Sequence, residues 1–159
     1  MKVRTFLIAA AAFIAPVAMI APANADGGIF VEVGQPNIAV GGYDTVSYFQ
    51  GSGEPVKGDT RYTVRYKETE WRFSSQANAD AFKENPAAYA PQYGGHCAWA
   101  MSRGSLAPGD PQLYKVVDGK LYLNFNRNVQ KTWLADIPGF IAKANLAWIS
   151  VPDGKRFGA

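Results

Sequence analysis

The sequence predicts a small α+β domain, and three observations carry that expectation. The run "RYTVRYKETEWRFSS", Arg61 to Ser75, alternates apolar and polar residues on both sides of a short turn. The run "LYKVVDGKLYLNF", Leu113 to Phe125, repeats the pattern around Asp118-Gly119, a pair suited to a type I′ turn with two positive φ angles. Beyond Asn126 the period changes to a helical one: Val129, Trp133 and Leu134, then Phe140, Ile141, Ala144 and Trp148. Two antiparallel hairpins and several short helices are therefore expected.

Taken in order, the chain opens with Lys2 and Arg4, an apolar run from Phe6 broken by Pro16 and Pro22, and the small-residue stretch "ANA" at Ala23 to Ala25. This reads as a secretory signal peptide over residues 1–25, cut at about Ala25. A flexible lead-in follows over 26–40, with a brief strand at Ile29 to Val33, and a folded domain over 41–150. Gly41-Gly42 supplies a turn, and Asp44 is a helix N-cap ahead of Val46, Tyr48 and Phe49. "GSGEPVKGD" is loop chemistry before the first hairpin, in which Tyr62, Val64 and Tyr66 share a face with Trp71 and Phe73 returning. Ser75 caps a helix running to about Glu84, with Ala77, Ala81 and Phe82 inward, and Pro86 ends it. A short helix is expected from about Gly95 to Ser102. After the second hairpin, two helices are separated at Pro138-Gly139, and residues 151–159 form a loose tail.

Charge and cysteine usage narrow the function classes. The formal net charge of +3 includes Lys2 and Arg4; the remaining chain carries 14 basic and 13 acidic residues, a net +1. Those charges are interspersed, which argues neither for nucleic acid nor for an anionic membrane surface. No second apolar run approaches the roughly 20 residues needed to cross a bilayer, so the mature chain has no transmembrane segment and is expected in a periplasm or secreted. A single cysteine, Cys97, has no internal disulfide partner.

The stretch "YDTVSYF" at Tyr43 to Phe49 and the stretch "WRFSSQANADAFKENPAAYAPQYGG" at Trp71 to Gly95 resemble the YHS domain family. The likeness is strongest to exported, single-domain members, which continue with segments like Gly94 to Met101, Asp118 to Asn124 and the Trp-bearing helices of Trp133 to Trp148. The resemblance implies a small α+β fold with a zinc-ribbon-like or treble-clef-like core and a metal-binding role, copper or another soft ion being the ligand suspected in copper-transporting ATPases. Members associated with metal carry motifs like "DPVCGM" and "FCSEGC". Laid on this chain, their cysteines fall at Ser47, Ser74 and Asn78. Hydroxyls and an amide do not replace thiolates for a soft ion, so that site does not carry over.

The remaining soft donors lie in "QYGGHCAWAM": His96, Cys97 and Met101. Thiolate, thioether and imidazole suit copper, and on a helix Cys97 and Met101 stand at i and i+4 on one face. His96 points about 100° away from Cys97 unless the helix starts late. The competing reading is an ordinary core stripe of Tyr93, Cys97, Ala100 and Met101. Tyr43 and Asp44 offer a phenol and a carboxylate to a ligand, or a core ring and a helix cap; Trp99 covers a shallow site or marks a partner surface. The expectation is a non-catalytic binding module with copper as the first candidate ligand. The alternative is a structural or protein-interaction domain whose cysteine is buried and inert. A thiol enzyme lacks a histidine other than the neighbour of Cys97, so no catalytic residue is assigned.

Overall fold

The structure, a computed structural model, describes residues 28–32 and 37–158. The expected signal peptide and its cleavage point lie outside the described residues. The elements are β1 (Tyr43–Asp44), β2 (Val56–Lys57), β3 (Asp59–Tyr66), β4 (Thr69–Phe73), α1 (Gln76–Glu84), α2 (Pro86–Tyr89), α3 (Ala98–Met101), β5 (Asp110–Val117), β6 (Lys120–Asn124), α4 (Arg127–Leu134) and α5 (Ile137–Ile149). They form three two-stranded antiparallel pairs, β1 with β2, β3 with β4, and β5 with β6. The two larger pairs are the expected hairpins. The small pair joining Tyr43 to Lys57 and Asp44 to Val56 was not anticipated, since two-residue strands leave no periodic trace.

Local chemistry explains the turns. Asp118 and Gly119 both have positive φ, as the second hairpin requires. Lys67 and Glu68 do the same in the first hairpin, without a glycine. The Ser75 side chain accepts the Asn78 amide and starts α1, which ends before Pro86. Its inner face departs from expectation. Ala77 is exposed, and Asn78 and Ala79 are buried beside Phe82. The reason is polar: the Asn78 amide is drawn inward to the Asp44 carboxylate.

The C-terminal helices also divide differently. The break falls at Ala135-Asp136, three residues earlier than expected, because Asp136 accepts the Gly139 amide and caps α5. Pro138 sits in the first turn of that helix, where its missing donor costs nothing. Leu134, expected inside, is 46% exposed at the end of α4.

The interior has two halves with β6 between them. Leu121 and Leu123 point into one cluster with Val46, Tyr48, Trp71, Phe73 and Phe82. Tyr122 points the opposite way, into a second cluster with Tyr93, Met101, Trp133 and Ala144. Successive strand residues face opposite sides, so a strand buried on both faces serves two cores at once. Asn124 shares the parity of Tyr122 and is wholly buried.

Candidate functional site

Asp44 stands at the centre of the first polar constellation. Its carboxylate is fully buried. Oδ1 accepts the amides of Val46 at 2.9 Å and Ser47 at 3.3 Å, closing the turn that leads into the helical turn Ser47–Phe49; the N-cap of that turn is Val46, not Asp44 as expected, because Asp44 ends strand β1. Oδ2 accepts three more hydrogen bonds: the Ser74 amide at 2.8 Å, the Ser74 hydroxyl at 2.6 Å and the Asn78 side-chain amide at 2.7 Å. The Ser47 hydroxyl donates to the Asp44 carbonyl at 2.7 Å and receives the Val56 amide at 3.2 Å. Ser47, Ser74 and Asn78 are the three positions at which the resemblance to metal-associated family members would put thiols. They converge in space, and what they converge on is a carboxylate, an acceptor-only group surrounded by donors.

Tyr43, next in sequence, is on the other side of β1. Its hydroxyl accepts the Gln112 amide nitrogen at 2.8 Å, and the Lys57 ammonium lies 4.1 Å from its ring centroid while donating to the Gly41 carbonyl at 2.7 Å. Tyr43, Lys57 and Gln112 line an open cleft of about 530 Å³ with Glu32, Asp110 and Phe125. The strand alternation thus sends Asp44 inward and Tyr43 toward solvent.

The segment around Cys97 is less helical than its sequence suggests. A helical turn over Gln92–Gly95 contains positive φ at Tyr93, Gly94 and Gly95, and α3 begins only at Ala98. His96 and Cys97 lie between the two in extended backbone, bridged to Pro108 and Leu123. Both side chains, with Met101, are wholly buried. The His96 Nδ1–H donates to the Tyr93 carbonyl at 2.7 Å, and Nε2 accepts the Phe157 amide at 3.1 Å. One neutral tautomer satisfies both bonds. Burial pushes the imidazole below its ordinary pKa, opposed in part by the Tyr93 carbonyl. A metal at His96 would have to displace one of these backbone partners.

The Cys97 thiol donates to the Asn124 side-chain oxygen at 3.9 Å, and the amide nitrogen of that asparagine has no partner among the described residues. Met101 belongs to the second apolar cluster with Trp133 and Tyr122. Trp99 is half-buried, with the Arg103 guanidinium 5.1 Å from its ring. Sequence reasoning did not identify Asn124, Gln112, Lys57 or Phe157 as partners of these groups. Only the doublet spacing of Asn124 with Tyr122 offered a signal. Among the described residues no group of three or more His, Cys, Asp and Glu side chains is placed to hold an ion, and no helix is long and apolar enough to cross a membrane.

A small α+β domain whose chemistry-bearing side chains face inward is the class these features define. The YHS domain family matches residues 52–93, and the chain carries a YHS domain over that segment. Ser74 and Asn78 fall inside the matched stretch, while Asp44 and Ser47 lie just ahead of it. No curated protein and no solved structure matches the chain significantly.

Proposed function

We propose that this protein is a non-catalytic, exported binding module that meets its partner with its surface. The observation carrying this reading is the inward placement of Asp44, His96 and Cys97, all 0% exposed, with the carboxylate and both imidazole nitrogens bonded to the protein itself. A nucleophile or general base needs access to substrate and a free lone pair, and neither His96 nor Asp44 offers one. The pocket aligned with the family's thiols is filled by a hydrogen-bonded aspartate, which supports recognition without a soft metal at that place.

A second reading keeps copper, held by Cys97 and Met101 with His96 beside them. The specific observation in its favour is the buried i, i+4 placement of thiol and thioether, next to an asparagine nitrogen with no partner. Anaerobic competition of the mature chain against a chelator for Cu(I) and Cu(II) separates the two. The surface-module reading expects no stoichiometric uptake, and a Cys97 thiol that reacts with a labelling reagent only after unfolding. Tight uptake lost in Cys97→Ser and Met101→Ala would replace it with the copper reading.

A further inference from the structure

We propose that the outer face of α5 is a docking surface for an anionic lipid bilayer. The helix "IPGFIAKANLAWI" is apolar around its whole circumference, with Lys143 and Asn145 the only polar side chains. Such a helix is ordinarily buried on all sides. Here one face packs inward: Ala144 is buried, and Ile137, Phe140, Ile141, Ala147 and Trp148 lie on the second core cluster. At 100° per residue, Pro138, Ala142, Leu146 and Ile149 fall within an arc of roughly 100° on the opposite side. All four are exposed, Leu146 at 72% and Ile149 at 63%. Leu134, at the end of α4, is exposed as well, at 46%.

Charge selects the occupant. Residues 127–149, from the start of α4 to the end of α5, carry Arg127, Lys131 and Lys143 against Asp136, a net +2. Residues 28–126 carry nine basic and ten acidic side chains, a net −1. Lys143 borders the stripe one turn from Leu146, and Arg127 and Lys131 share the exposed side of α4 with Leu134. That one acid, Asp136, is turned onto the Gly139 amide at the helix start. A negatively charged lipid surface meets both the apolar stripe and its basic border. With 13 residues, α5 is about 20 Å long, too short to span a hydrocarbon core of about 30 Å, so it lies in the plane of the interface.

This names the partner of the surface module and rests on that reading. The test is co-sedimentation of the mature chain with vesicles of phosphatidylglycerol and phosphatidylcholine, or of phosphatidylcholine alone, at low salt. Binding to the anionic vesicles only is expected. It should fall about tenfold or more in L146S/I149S and, separately, in K131E/K143E. Both variants change exposed residues, and thermal unfolding confirms that each is folded. Absence of binding to anionic vesicles, equal binding to neutral ones, or binding indifferent to L146S/I149S would overturn the proposal. So would a concentration-dependent dimer in light scattering that L146S/I149S abolishes, which would assign the face to a second copy. A negative vesicle result with no copper uptake removes the lipid and leaves the surface module standing; copper uptake through Cys97 removes the module reading itself.

Discussion

Replacing Asp44 by asparagine keeps the shape of the side chain and turns one of its two acceptors into a donor. In the native arrangement Oδ2 receives the Ser74 amide, the Ser74 hydroxyl and the Asn78 amide at 2.8, 2.6 and 2.7 Å, while Oδ1 receives the amides of Val46 and Ser47. An asparagine must set its NH₂ against one of these groups. Turned toward Ser74, it strands a backbone N–H that has no other acceptor. Turned toward Val46, it strands two. The charge that strengthened all five bonds is lost in either case. With about 1–3 kcal/mol for each buried donor left unpaired, the expected loss is about 3 kcal/mol. A chain of residues 26–159 should unfold with an entropy of roughly 2.1 cal/mol/K per residue, so this loss lowers Tm by about 10 °C. The assay is thermal and urea unfolding followed by circular dichroism, with Ser74→Ala as a comparison expected to cost only about 1 kcal/mol. An Asp44→Asn protein melting within about 2 °C of the parent would refute the claim that the carboxylate organises this pocket.

His96 is the only histidine in the chain, so a stability change near its titration is assignable to it. Burial lowers its folded pKa, hence the unfolded state takes up the proton first; stability is complete above an unfolded value of about 6.5 and falls as pH drops below it, by up to about 1.4 kcal/mol per unit. Urea unfolding between pH 5 and 8 should show this slope, and His96→Gln should flatten it. Gly94→Ala should destabilise the fold by more than about 1 kcal/mol, since Gly94 has φ +62° and a Cβ there would collide with the Gly28 carbonyl oxygen; a neutral result in the same unfolding assay would contradict the geometry. Export predicts a mature N-terminus at Asp26, which N-terminal sequencing of the protein recovered from the producing cell's exterior or periplasm checks.

What a single stretch of chain states about itself concerned neighbours within a turn or a hairpin. Asp118-Gly119 names its turn, Ser75 its helix start, and the alternation of Tyr62, Val64 and Tyr66 its strand, because each depends on atoms a few residues apart. The YHS resemblance was legible in the same way, from short motifs in order, and so was the presence of Ser47, Ser74 and Asn78 where the resemblance would put cysteines. That those three positions meet on Asp44 was not, for Ser74 lies 30 residues from the aspartate and Asn78 lies 34. The fate of the His-Cys-Met stretch depended on still longer reach: Phe157, 61 residues away, occupies one imidazole nitrogen, and Asn124 lies against the thiol. Periodicity picked out Phe140, Ile141, Ala144 and Trp148, the face α5 turns to the second core, but not that Leu146 and Ile149, equally apolar, stay exposed on the other side. Local sterics and hydrogen bonds are written residue by residue; burial is a competition among all the surfaces of the chain, settled only when the distant segments have met.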